Sequence, residues 1–175
     1  MKTRYIDLIE QTFDFPKDEF KLDGENLVWN DLPLVDLLKK HGTPLRITYL
    51  PKIGEKIELA RNSFAKAFAA HDYQGRYEYF YCTKSNHFHY VIDQVLKKGV
   101  NLETSSAYDL EMIELLIERG RITKDSTILC NGFKDERYIK GIGRLANRGF
   151  KVVPIVAATG EIYALDEVIE GHCDI

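Results

Sequence analysis

Between residues 45 and 165 the apolar positions switch period in a regular way. Leu45–Leu50 is apolar and extended, and Ile53, Ile57, Ala60, Phe64 and Phe68 follow at steps of three or four. Such steps mark one face of a helix. Residues 77–83 read as an aromatic strand, and Phe88, Val91, Ile92 and Val95 as a helix face that stops at Gly99. Val100–Ser105 predicts a third strand, and Ser106 is a good N-cap for a helix carrying Leu110, Ile113 and Ile117, closed by Gly120. Thr127–Cys130 is a short apolar strand. A helix with Tyr138, Ile139, Ile142 and Leu145 follows and ends at Gly149, and Val152–Ala157 is the last strand.

Strands beginning near 45, 77, 100, 127 and 152 leave about 23–32 residues per unit. Strict alternation of strand and helix argues for a parallel sheet with right-handed crossovers. An open doubly wound sheet and part of a (β/α)8 barrel both fit, and periodicity does not choose between them. In either, chemistry gathers at the carboxyl ends of the strands. Residues 1–44 are less regular and read as an N-terminal arm. Asp23-Gly24-Glu25-Asn26 signals a turn, and Leu34, Leu37 and Leu38 a short helix closed by His41-Gly42-Thr43-Pro44.

The strand-end residues are the candidates for chemistry. Lys84 closes the aromatic strand, where its amine could react with an aldehyde. Strand parity would put Lys84 on one face with Phe80 and Cys82, and burial there would favour the neutral amine. The plainer alternative is a lysine snorkelling at a strand end. Glu103 ends the next strand, on the same rim if the two strands are neighbours. Thr104, Ser105 and Ser106 read as helix caps, and Lys134, after the Asn131-Gly132 turn signal, reads as a surface lysine. His87 and His89 sit two apart at a helix start and do not face each other, so no metal site is expected. Gly141-Ile142-Gly143 lies inside a helix rather than after a strand, so it is not a dinucleotide loop.

Composition narrows the class without naming it. The 175 residues suffice for one sizeable core, and 45% apolar with 29% charged is an ordinary soluble balance. A net charge of -3 suggests no nucleic-acid partner. Cys82, Cys130 and Cys173 form no CxxC pair or metal spacing and read as reduced intracellular thiols. Lys2, Arg4, Asp7, Glu10 and Asp14 interrupt the first residues, so neither a secretory leader nor a membrane span is expected there.

Four stretches occur together in a recognisable order. They are Leu45-Arg46-Ile47-Thr48-Tyr49-Leu50-Pro51-Lys52-Ile53, Tyr81-Cys82-Thr83-Lys84-Ser85-Asn86, Leu102-Glu103-Thr104-Ser105-Ser106-Ala107-Tyr108-Asp109-Leu110 and Ile128-Leu129-Cys130-Asn131-Gly132-Phe133-Lys134-Asp135. Over about residues 43–165 the chain resembles the biosynthetic arginine decarboxylases. These belong to the alanine-racemase-like (fold type III) pyridoxal phosphate enzymes. The Lys-x-Asn element is general to that superfamily, and the Cys-Asn-Gly-Phe-Lys-Asp stretch is more specific to the arginine branch.

The resemblance implies an α/β fold, the N-terminal half of a TIM-like barrel with parallel strands over 45–175, and the arm over 1–44. It implies pyridoxal 5'-phosphate as cofactor, with Lys84 as the lysine that carries it, Asn86 supporting the turn beside it, and Glu103 close to it. It further implies a cytoplasmic lyase of polyamine biosynthesis converting arginine to agmatine and carbon dioxide, and a homo-oligomer in the full-length protein. Thr83 and Ser85 flank the lysine where relatives carry a branched apolar residue and Val or Ala, and Thr104 stands where they carry Ala or Gly. These departures leave arginine, ornithine, lysine and diaminopimelate open as substrates. A complete barrel needs about 200–250 residues. The phosphate-binding loop and the carboxylate for the pyridine nitrogen are thus expected beyond residue 175, and this stretch alone is expected to be inactive. A catalytically silent cofactor-binding or regulatory relative is the alternative. A cofactor-free open α/β binding domain is a third reading.

Overall fold

A computed structural model describes residues 19–171, so the charged stretch from Lys2 to Asp14 and Cys173 lie outside the described residues. The chain divides into two compact units, Met1–Thr48 and Tyr49–Ile175.

The first unit is more ordered than its sequence pattern suggests. β1 (Phe20–Asp23), β2 (Asn26–Trp29) and β3 (Leu32–Pro33) form an antiparallel sheet in that order, followed by α1 (Leu34–His41). The turn expected over Asp23–Asn26 joins β1 to β2, with Gly24 at φ 59°. The β2–β3 link is a two-residue loop, Asn30-Asp31, and both residues have positive φ, 47° and 63°. Asn and Asp tolerate that region, and a two-residue hairpin needs it. The irregular reading of this stretch overlooked that hairpin chemistry.

The second unit carries the expected alternation. Its elements are α2 (Pro51–Ala70), β4 (Phe80–Cys82), a 3-10 turn (Thr83–Ser85), α3 (His89–Leu96), β5 (Asn101–Thr104), α4 (Ala107–Glu118), β6 (Thr127–Cys130), α5 (Glu136–Asn147), β7 (Lys151–Pro154) and α6 (Thr159–Asp166). The strands form one parallel sheet in the order β4-β5-β6-β7. This is an α/β sheet of the kind found in part of a (β/α)8 barrel.

Several elements differ from the sequence expectation. Leu45–Leu50 forms no ladder: it alternates half-buried and exposed residues, but no strand pairs with it among the described residues. An extended run becomes a strand only when a neighbour takes up its backbone donors. The aromatic strand starts at Phe80 rather than 77, and the last strand stops at Pro154 rather than 157. Helix α6 did not stand out in the sequence because its apolar residues are not gathered on one side: Leu165 is buried, whereas Ile162 and Tyr163 are exposed.

Burial alternates along the strands. Leu102, Thr104, Ile128, Cys130 and Val152 are each at most 4% exposed, whereas Asn101, Glu103, Thr127, Leu129 and Val153 are half-buried. The buried face meets Ile57 of α2, Ile92 and Val95 of α3, Leu110 and Ile113 of α4, Ile142 and Leu145 of α5 and Leu165 of α6 in one core. Among the described residues, the helices of this unit cover one face of the sheet and leave the other open. Among the described residues no helix is long and apolar enough to cross a membrane.

Two helix glycines separate local propensity from packing. At Gly143 of α5 a Cβ would stand 2.8 Å from the Val168 carbonyl oxygen and 2.9 Å from Val168 Cγ2, whereas at Gly160 of α6 it would meet nothing within 4 Å. Propensity alone favours alanine over glycine by about 1 kcal/mol at either site. Overpacking costs about 1–3 kcal/mol and should win at the first. Gly143→Ala is therefore expected to lower the urea midpoint and Gly160→Ala to raise it. Midpoints moving the same way in both variants would contradict this packing.

Candidate functional site

The parallel register brings the candidate residues to one rim. Cys82 stands opposite Glu103 on β5, and Glu103 opposite Leu129 on β6. Two residues past Leu129 the chain keeps the same parity, so Cys82, Glu103 and Asn131 lie side by side on the open face at the carboxyl ends of β4, β5 and β6. Glu103 Oε1 accepts from Asn131 Nδ2 at 3.1 Å and from Cys82 Sγ at 3.5 Å. Two donors from two neighbouring strands thus fix one carboxylate oxygen.

Lys84 sits next to this group, but not as strand parity predicts. The chain leaves the strand at Thr83 and makes one 3-10 turn. Thr83 is fully buried and donates from Oγ1 to the Glu103 carbonyl at 3.0 Å, while Ser85 Oγ donates to the Cys82 carbonyl at 2.7 Å. These bonds end the alternation one residue early, so Lys84 is exposed rather than buried beside Phe80 and Cys82. The burial that parity predicts for Lys84 is therefore not found. Its charge still reaches Cys82. Burial pushes the Cys82 thiol above its ordinary value first, and the charge and hydrogen bond of Glu103 push it further. The Lys84 backbone N–H and ammonium pull it partly back.

Asn86 faces its own loop. Its Oδ1 accepts from the Phe88 backbone N–H at 3.1 Å, and its carbonyl accepts from Tyr81 Oη at 2.9 Å. The arrangement locks the turn that carries Lys84. His87 and His89 are exposed, and among the described residues no group of three or more His, Cys, Asp or Glu is placed to hold a metal ion.

Behind the rim lie polar groups that sequence reading assigned differently or missed. Ser106 caps α4 as expected, accepting from the Asp109 N–H, and the Asp109 carboxylate accepts in return from the Ser105 N–H at 2.9 Å. Thr104 is no cap: its side chain is buried within 2.8 Å of Tyr138 Oη, and Tyr138 donates to the Asn131 carbonyl at 3.2 Å. Burial, followed by the Cys130 thiol beside it, pushes the Tyr138 phenol well above its ordinary range. Lys134 is no surface lysine. Its side chain is 0% exposed, and its ammonium meets the Gly132 carbonyl at 3.0 Å, the Ile155 carbonyl, and Glu161 Oε2 at 3.7 Å. Glu161 also accepts from the Ala157 N–H at 2.9 Å and the Lys134 N–H at 3.2 Å. A lysine two residues past Gly132, just after β6, was the available signal. Glu161 carried none.

No protein-family model matches the chain. Curated relatives do. The biosynthetic arginine decarboxylase of a Nostoc species is 31% identical over 113 residues, covering 61% of this chain and 16% of that protein. The enzyme of the same name from Prochlorococcus marinus is 27% identical over 136 residues, covering 74% and 20%.

The chain is similar to part of the biosynthetic arginine decarboxylases.

It spans about a fifth or less of the length of these decarboxylases. Among solved structures, the biosynthetic arginine decarboxylase of Campylobacter jejuni superposes with a TM-score of 0.66, over 86% of this chain and 27% of that one, at 22% identity. That likeness speaks for a shared fold, and the family resemblance read from the four sequence stretches holds.

The buried pair gives a pH prediction. The Ala157 N–H, then the Lys134 N–H and ammonium, hold the Glu161 carboxyl below its ordinary value of 4.5 against the opposing effect of burial. A depressed carboxyl contributes stability that is present above the unfolded value and lost as pH falls through the folded one. The stability gap between wild type and Glu161→Gln is therefore expected to be full at neutral pH and to close as pH drops below 4.5. Urea titrations at a series of pH values would measure it, and a gap independent of pH would refute the assignment.

Proposed function

We propose that this chain forms the lysine-bearing part of a cytoplasmic, pyridoxal phosphate-dependent decarboxylase that acts on arginine and releases carbon dioxide and agmatine for polyamine biosynthesis. The observation that carries the proposal is an exposed amine, Lys84, beside an oriented carboxylate, Glu103, at the carboxyl rim of a parallel sheet in a relative of arginine decarboxylases. The residues fit the cofactor: an aldehyde needs a reachable amine, and this one lies on a turn pinned by Thr83, Ser85 and Asn86.

In this reading Lys84 holds the cofactor covalently, Asn86 keeps the Lys84 turn in shape, and Glu103 faces the cofactor or the substrate amine. Bound there, the cofactor would supply an electron sink for decarboxylation. The chain's own residues supply position: Cys82 and Asn131 hold Glu103 by one oxygen, which leaves Oε2 for a cationic or protonated partner. The open face of the sheet, with half-buried Asn101, Glu103 and Leu129, is the face a closed barrel would turn inward. The 175-residue stretch by itself is proposed to bind without turnover, and the complete protein to act as a homo-oligomer.

The test is direct. Incubation with pyridoxal phosphate, borohydride reduction and peptide mapping should place the phosphopyridoxyl mass on Lys84, and Lys84→Ala should abolish it. An adduct mapped mainly to other lysines, or unchanged in Lys84→Ala, would sink the lysine assignment. Release of labelled carbon dioxide from carboxyl-labelled arginine by the product of the complete reading frame tests the substrate. Turnover of ornithine or diaminopimelate in its place would redirect that part.

A further inference from the structure

Lys134 and Glu161 are costly to keep where they are. Removing two charges from water carries a penalty that their attraction repays only in good geometry, and an apolar pair of similar volume is often as stable or more so. Here the ammonium and carboxylate stand 3.7 Å apart, with side chains 0% and 8% exposed. The pair is defined less by its own contact than by the backbone it gathers. Lys134 takes the carbonyls of Gly132 and Ile155, and Glu161 takes the N–H groups of Lys134 and Ala157. These four groups lie past the ends of β6 and β7, where ladder pairing has run out. The pair replaces the ladder for two neighbouring loops.

One of those loops carries Asn131. Its backbone is already tight: Gly132 sits at φ 85°, and a Cβ there would come within 2.8 Å of the Ser105 carbonyl oxygen. The Asn131 Oδ1 accepts from the Gly132 N–H at 2.7 Å, which points its Nδ2 outward to Glu103 at 3.1 Å. A shift of the Gly132 carbonyl, held by Lys134, would turn that side chain.

We infer that Lys134 and Glu161 are positioning residues: by fixing the Gly132 carbonyl they aim Asn131, and through Asn131 they orient the Glu103 carboxylate at the open rim. The use of that rim rests on the reading proposed above, but the positioning can be read without any cofactor. Cys82 is the reporter. Its thiol bonds to the same Glu103 oxygen, and Glu103 from β5 and Lys84 from its own turn are the charged groups that act on it. Cys130, 0% exposed on the opposite face, reports unfolding.

The experiment is cysteine-resolved alkylation with iodoacetamide across pH, read by peptide mass spectrometry. Glu103→Gln sets the benchmark, with the Cys82 profile moved to lower pH. The double variant Lys134→Met/Glu161→Leu keeps the volume and removes both charges. It is expected to move the Cys82 profile toward the benchmark while Cys130 stays unlabelled, and Asn131→Ala should do the same. A Cys82 profile that stays in place or moves to higher pH, with Cys130 protected, overturns the inference. If the double variant exposes Cys130, the same two outcomes are read in the near-isosteric Glu161→Gln. Because no cofactor enters, failure here leaves the Lys84 trapping result standing, and failure of that trapping leaves this one.

Discussion

The parallel register from β4 to β7 is the constraint on which everything else in the second unit depends. Side chains alternate across a sheet, so a slip of one residue in any strand would exchange its two faces. In register, Leu102, Ile128 and Val152 line up beneath the helices, and Thr104 and Cys130 join them. The same register puts Cys82, Glu103 and Asn131 in a row on the other side. Burial of the first row holds the second in place, because the apolar area removed from water, worth about 25 cal/mol per Å2, is lost wholesale if a strand slides. The site inherits its geometry from a core packed on the opposite face of the sheet.

At the ends of the strands the ladder no longer satisfies the backbone, and the chain turns to side chains. Thr83 takes the Glu103 carbonyl, Tyr138 the Asn131 carbonyl, and Lys134 those of Gly132 and Ile155. Each of these residues is buried, and each closes a contact between neighbouring strand ends. A buried polar group left unpaired costs about 1–3 kcal/mol, so these bonds are obligatory rather than decorative.

Periodicity carried the second unit well. Ile53 to Phe68, Ser106 to Ile117 and Tyr138 to Leu145 became the helices that their spacing announced, and Thr127–Cys130 became a strand with those same ends. Their signal is a repeated apolar face, which one sequence displays in full. Leu45–Leu50 misled because an extended apolar run states a preference, whereas a strand requires a partner. At Lys84 the obstacle was local: two hydroxyl groups, Thr83 and Ser85, capture backbone carbonyls and curl the chain, and parity reasoning cannot see side-chain bonds of that kind. Lys134 and Glu161 stayed hidden because their partnership spans 27 residues and is made largely through main-chain atoms. Thr104 likewise reads as a cap next to Ser105 and Ser106, until β5 turns it inward toward Tyr138.

Gly143 carries a consequence for how this helix can change over time. Its neighbour is the Val168 carbonyl oxygen as well as the Val168 side chain. A clash with a side chain can be relieved by shrinking that side chain; a clash with main chain cannot. No partner substitution at 168 therefore opens room at 143, and the position is closed to compensatory drift. At Gly141 the close neighbour is a side-chain atom, Leu110 Cδ1 at 2.8 Å, with Arg144 Nη2 at an ordinary 3.7 Å, so a smaller residue at 110 could admit a methyl group there. Two glycines that look interchangeable in the sequence thus differ in evolutionary freedom: one is negotiable, the other fixed by the path of the backbone itself.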